Sequence, residues 1–241
     1  MRALILKEVR GFLGSLIGFI VVAVFLLVTG LFLWVFPDNL LDLGYADLAP
    51  FFFIAPWVFL FLVPAVTMRS FSEERRTGTL ELLLTKPITE WRLVLAKYGA
   101  AVVLVLLALL PTLVYVYSIG DLALPRWNID TGATWGSYLG LLLLGASFTA
   151  IGLFASALTD SQIVAFLIAV FLCFFTYLGF DLLASFDVLG GLEGPIKAIG
   201  IQAHYQSISR GVVDLRDVLY FLGAIVIFLL LTRTSLQSRK W

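Results

Sequence analysis

One histidine, His204, and one cysteine, Cys173, are all that 241 residues offer toward a metal centre or a nucleophile with its base. Two such residues cannot complete a zinc site, and no His-Glu-x-x-His pair stands at helical spacing. No Gly-x-x-x-x-Gly-Lys-Ser/Thr loop is present to cradle a nucleotide phosphate. The sequence therefore predicts no catalytic residue and no cofactor in this chain, with Cys173 a small buried hydrophobe and His204 a surface residue. What remains able to do chemistry is a charged stretch from Arg69 to Arg92 holding Glu73, Glu74, Arg75, Arg76, Thr77, Gly78, Thr79 and Glu81. Its chemistry would be non-covalent. Ser70 and Glu73 have the spacing of a capping box, Gly78 should break or turn the helix they start, and Leu80 to Leu84 resume an apolar face that Pro87 ends. Thr89 can cap the helix that follows. A short charged helix with a leucine-rich side suits the groove of a soluble protein and can pass its movement onward, whereas a plain solvated turn would only set topology.

The elements that must position this stretch are membrane helices. Of the chain, 61% is hydrophobic and 13% charged, against roughly 25% charged in an average soluble domain, so a water-facing surface cannot be built from it. Charge-free runs extend from Gly11 to Pro37, Leu48 to Met68, Tyr98 to Gly120, Thr131 to Thr159, Ser161 to Phe180 and Val218 to Thr232. Most reach the roughly 20 residues needed to cross the hydrocarbon. They predict one all-α polytopic domain over 1–241 with six spans, about 12–36, 49–68, 97–119, 136–158, 161–180 and 216–234. The first run is too long for a signal-peptide core and should remain as an anchor.

Lys and Arg concentrate before the first span, between the second and third, and after the sixth, while the first opposite loop carries Asp38, Asp42 and Asp47 with no basic residue. That asymmetry places both termini in the cytoplasm, with the charged stretch beside them. Spans four and five join through a tight turn at Asp160. Between Asp181 and Asp217, Gly190, Gly191, Gly194 and Pro195 precede a half-apolar stretch, which reads as one or two short interfacial or re-entrant helices. No span centre carries a charge, which argues against ion-coupled transport, and Pro56, Pro64 and Pro111 read as packed bends. Gly145, Thr149, Gly152 and Ser156 recur at four, three and four, placing small side chains on one face of span four for close helix packing. Net charge is zero and no basic stripe is present, so nucleic acid is not an expected partner.

The run Glu73-Glu-Arg-Arg-Thr-Gly-Thr-Leu-Glu-Leu-Leu-Leu-Thr-Lys-Pro87 resembles the coupling-helix signature of ABC-2 type ABC transporter permeases. Leu6-Lys-Glu-Val-Arg10, followed by Gly14-Ser-Leu-Ile-Gly18, resembles that family's amphipathic entry helix. The segment from His204 to Phe221 and the closing Ser238-Arg-Lys-Trp241 resemble the subgroup typified by the gliding-motility permease GldF. The resemblance implies a permease subunit in the plasma (inner) membrane of a bacterium, paired with an identical or homologous second permease chain. It also implies partner ABC ATPase subunits that bind ATP and Mg, with Glu73, Glu74, Arg75, Arg76, Thr77, Gly78, Thr79 and Glu81 as the ATPase-facing element. A membrane scaffold or assembly protein that holds a non-ATPase partner is the alternative, and a neighbouring gene for a P-loop ATPase would separate the two.

Overall fold

Long apolar runs broken by glycine, proline and capping side chains leave the backbone one way to satisfy its polar groups in lipid, the α-helix. A computed structural model describes residues 2–37, 39–79, 81, 89–185 and 193–238. Among these the chain is helical, with no strand. The expected apolar face from Leu80 to Leu84 and the stop at Pro87, apart from Glu81, lie outside the described residues, as do Asp38, Gly190, Gly191 and 239–241.

The helices are α1 (Arg2–Leu13), α2 (Leu16–Trp34), α3 (Leu40–Leu43), α4 (Ala49–Thr67), α5 (Arg69–Arg76), α6 (Glu90–Leu109) and α7 (Leu113–Leu122). Then follow α8 (Thr131–Leu158), α9 (Gln162–Phe174), a π turn (Phe175–Gly179), α10 (Phe180–Ala184), α11 (Glu193–Lys197), α12 (Ile201–Ser209) and α13 (Leu215–Gln237). Among the described residues five segments are long and apolar enough to cross a membrane: α4 with α5, α6 with α7, α8, α9 with α10, and α13. A sixth is the pair α1 and α2, bent by 65°. The bend falls at Gly14 and Ser15, where the Ser15 hydroxyl accepts from Gly18 N at 3.2 Å and so caps α2. Large apolar side chains left exposed along α2, α9 and α13, among them Phe19, Leu27, Leu167, Phe171, Leu222 and Val226, have no place in water and face lipid.

Helix α8 is the central post. In its most apolar stretch 78% of residues are buried, against 28% in the segment from α9 to α10 and in α13, and α4, α5, α6, α9, α12 and α13 all pack on it. The small residues of the expected stripe make this possible. A Cβ on Gly145 would meet Val105 Cγ1 at 2.6 Å, and one on Gly152 would meet Thr67 Oγ1 at 2.0 Å. Thr149 is fully buried and turns its hydroxyl back to Gly145 O at 2.7 Å, which spends its polarity inside its own helix.

The prolines behave unequally. Pro56 and Pro64 sit inside an unbroken α4, whereas Pro111 falls in a 3-10 turn, Leu110–Thr112, that divides α6 from α7. Among the described residues, the stretch before the last span holds two short helices, α11 and α12. The second buries Ile201, Tyr205 and Ile208 against the start of α8, and the Tyr205 hydroxyl donates to Phe52 O at 2.8 Å.

Candidate coupling and docking site

Helix α5 continues α4 after a single residue, Met68, so the charged stretch is carried on an extension of a membrane helix. The capping box expected from Ser70 and Glu73 does not form. Ser70 is buried within the helix, and the cap comes from 85 residues away: the Ser156 hydroxyl on α8 accepts from Phe71 N at 2.8 Å and Ser72 N at 3.1 Å and donates to Met68 O at 3.1 Å. A tertiary acceptor satisfied the helix start, so the local one was not needed. At the far end Gly78 does interrupt the helix, at φ +69°, a left-handed conformation that suits glycine at a helix terminus. Thr89 occupies the cap position of α6, where its carbonyl, rather than its side chain, accepts from Arg92 N and Leu93 N.

The 3.6-residue period places Phe71, Glu74 and Arg75 on one face of α5, and that face turns inward. Phe71 is fully buried. Lys97, the eighth residue of α6, reaches beside it with Nζ 5.2 Å from the Phe71 ring centre, 2.7 Å from Glu74 Oε1 and 3.4 Å from Glu8 Oε1 on α1. One ammonium thus ties α1, α5 and α6 together. Lys97 is only 4% exposed, so its attraction to both carboxylates acts in a medium that screens far less than water.

Arg75 anchors the second corner. Its guanidinium pairs with Asp160 in the turn between α8 and α9, with Nη2 to Oδ1 at 2.5 Å, and donates through Nη1 to Ala157 O. Ala157 O lies in the last turn of α8, where carbonyls lack intrahelical donors and a cation is favoured; the Ser235 hydroxyl of α13 donates to the same oxygen at 3.2 Å. Arg69 adds a looser link, with Nε 3.4 Å from Gln162 Oε1 on α9. Nearby, Arg233 of α13 lies 3.8 Å from Glu90 Oε2 and 5.2 Å from the centre of the Trp91 ring.

The structure thus divides the expected set of eight. Glu74 and Arg75 point into the protein, while Arg76, Thr77, Gly78, Thr79 and Glu81 are exposed and Glu73 is half-exposed. Thr77 donates to Glu73 O at 2.9 Å, and its hydroxyl lies 2.9 Å from that of Thr79, giving the outward turn a defined shape. Sequence reasoning missed three partners: Glu8, Lys97 and Asp160. Lys97 stood in the sequence as a loop cation that sets topology, yet it is two turns inside a membrane-entering helix. Its neighbours at three and four residues on either side, Leu93, Val94, Ala100 and Ala101, are all apolar, and that pattern could have marked it as buried. Asp160 offered no such signal.

This fold, with a charged extension on the second span, meets an independent comparison. A family model described as ABC-2 family transporter protein matches residues 39–200, about two thirds of the chain. The chain belongs to the ABC-2 transporter family. It is therefore a multi-pass membrane protein and a permease component of an ABC transporter, the kind of subunit that associates with an ABC ATPase. The match takes in α5, Lys97 and Asp160, and leaves Glu8 and Arg233 outside it. No curated protein matches the sequence.

The other end of the bundle departs from expectation at His204. Instead of lying on the surface, its ring stacks on Tyr220 at 3.8 Å between centres. Nδ1 lies 2.7 Å from Asp217 Oδ1 and Nε2 lies 2.9 Å from Ala198 O. Asp217 is buried at 6% exposure, and the imidazole between it and a carbonyl pins α12 to α13.

Proposed function

We propose that this ABC-2 permease subunit docks an ABC ATPase through the outward side of α5 and the turn at Gly78, and that ATP-driven movement of the partner enters the membrane domain there. The observation that carries the reading is the two-faced character of α5. Its outer side presents Glu73 and Arg76, and Thr77, Thr79 and Glu81 are exposed just beyond its end. Its inner side is tied through Phe71, Glu74 and Arg75 to α1, α6 and the turn between α8 and α9. A push on the outside cannot be absorbed locally, because packed contacts on the inside have no slack.

ATP and Mg belong to the partner ATPase. The assembly contains a second permease chain, identical or homologous, and sits in a bacterial inner membrane with both termini cytoplasmic. The output is export or conformational work, and the resemblance of the closing segments to the GldF subgroup extends this to a gliding-motility type of complex.

The test reverses charge only on the outer face. Glu73→Lys combined with Arg76→Glu, made in the full complex, should remove the ATPase from the purified permease while the permease elutes and melts as before. ATPase recovered at wild-type yield would refute the docking role. A non-ATPase protein lost in its place would favour a scaffold.

A further inference from the structure

His204 is the one histidine of the chain, and both of its ring nitrogens face acceptors: Nδ1 lies 2.7 Å from Asp217 Oδ1 and Nε2 lies 2.9 Å from Ala198 O. A neutral imidazole carries a single N–H and satisfies only one of the two. A carbonyl oxygen has no proton to give, so Nε2 is the donor to Ala198 O. A second proton must then sit between Nδ1 and the carboxylate. It belongs on the ring, because imidazole is ordinarily the stronger base by about 2.6 pH units. The Tyr220 ring, stacked on the imidazole at 3.8 Å and tilted from it by 18°, favours a cation against its face. Asp217, at 6% exposure, has its Oδ2 without a hydrogen bond among the described residues, so the imidazolium is its counter-charge.

One ring thereby joins three segments: Ala198 lies in the turn after α11, His204 on α12, and Asp217 with Tyr220 on α13. Its two hydrogen bonds differ in their surroundings. The bond to Asp217 is partly buried, whereas the bond to Ala198 O is open to water, so the Nε2 proton is the one that solvent can take. With that proton gone, a lone pair faces the carbonyl oxygen and the contact turns repulsive, while Nδ1–H keeps its carboxylate. Helix α12 itself stays, because Tyr205 holds it to Phe52 O on α4. What loosens is the turn and α11, which packs on α10 at the end of the segment begun by α9. The charged side chains of the neighbouring elements are Asp181, Glu193, Lys197, Arg210, Asp214 and Arg216, and among the described residues none forms an ion pair with His204 or Asp217. Asp47 and Asp130 are engaged in capping α4 and α8. Of the tyrosines there, Tyr220 is the one stacked on the ring.

We propose that His204 is a proton-operated fastener: as the imidazolium it donates from both ring nitrogens and holds the turn after α11 to α12 and α13, and on losing the Nε2 proton it releases that turn. Histidine suits the task because its charge ordinarily changes between about pH 5 and 8. The fastened state holds a proton that the released state can shed. Rising pH therefore favours release, by at most about tenfold per pH unit for one proton, and falling pH restores the fastening. The device lies at the end of the bundle away from α5 and does not rest on ATPase docking.

The test uses the full-length chain in phosphatidylcholine nanodiscs with nitrogen-15 in its single histidine ring, followed by NMR and by hydrogen exchange between pH 6 and 9. At pH 6 both ring nitrogens should carry protons. As pH rises Nε2 should lose its proton first. Over that same range exchange in residues 193–200, corrected for the intrinsic chemical rate, should rise by up to about tenfold per pH unit while peptides of α8 do not follow. Asp217→Asn supplies the control, because its amide donates to Nδ1 of a neutral ring whose Nε2–H still reaches Ala198 O. That variant should keep residues 193–200 protected at every pH. An unprotonated ring nitrogen at pH 6, exchange that ignores the Nε2 proton, or a pH dependence retained in Asp217→Asn would each overturn the proposal. Should the variant not fold, the ring signals and the exchange of the unaltered chain decide alone, since they must change together. The Glu73→Lys, Arg76→Glu variant should behave here as the unaltered chain does, so either reading can fail by itself.

Discussion

The two ends of this bundle use buried polar groups in opposite ways. Around α5 they are charged and joined in ion pairs, with Lys97 between Glu74 and Glu8 and Arg75 between Asp160 and Ala157 O, and Glu74 Oε2 alone of these is buried without a hydrogen bond among the described residues. Around α12 they are mostly neutral, and Gln202 Oε1 and Asp217 Oδ2 are buried without a hydrogen bond among the described residues. The exception is the pair His204 and Asp217, which fastens α12 to α13 at the edge of that region. Matched ion pairs lock elements together, because separating them exposes charge to a poor solvent. The first end fastens its helices through ion pairs, the second mostly through neutral hydrogen bonds.

The comparison breaks hardest at Lys97. Lys97→Met leaves two carboxylates facing each other without their cation and should cost about 3–5 kcal/mol, the usual penalty for removing one member of a buried ion pair. Thermal melting in detergent would show it, and adding Glu74→Gln should restore part of the loss. Next is Gly152→Ala, whose new methyl meets Thr67 Oγ1 at 2.0 Å and should lower stability by about 1–3 kcal/mol through overpacking. At the other end His204→Ala strands a buried Asp217 and should cost about 1–3 kcal/mol in the same assay. Ser156→Ala removes the tertiary cap of α5 and should cost about 0.5–2 kcal/mol, with faster hydrogen exchange at the Phe71 and Ser72 amides. Smallest in stability is Arg76→Ala on the outer face, within about 0.5 kcal/mol of wild type. It sharpens the contrast by reducing ATPase retention where the Lys97 and Ser156 changes act chiefly on the fold.

The helical segments were legible because crossing lipid demands long apolar runs, and their charges, glycines and prolines marked most of the ends. Gly78 shows how far such local signals reach: a glycine between two threonines predicted a break, and the left-handed backbone is there. Ser70 shows where they stop. The capping-box spacing was correct as a pattern, yet the helix runs through from α4, and Ser156 supplied the acceptor. His204 failed for a similar reason, since its partners Asp217 and Tyr220 come from another helix. At the candidate site, the sequence picked out the element but not which of its residues faced outward.

By itself, the sequence determined the all-α, multi-span character of the chain, the small-residue face of α8 and the charged extension after the second apolar run. Hydropathy and the 3.6-residue period are local properties, and lipid enforces them on any chain. Only the tertiary structure decided that Glu74 and Arg75 face inward and that Lys97 is the counter-charge of Glu74. Those outcomes depend on how close the helices approach and how each is rotated about its axis. Side chains such as Val105, Phe59 and Thr67, pressed against glycines of α8, set both.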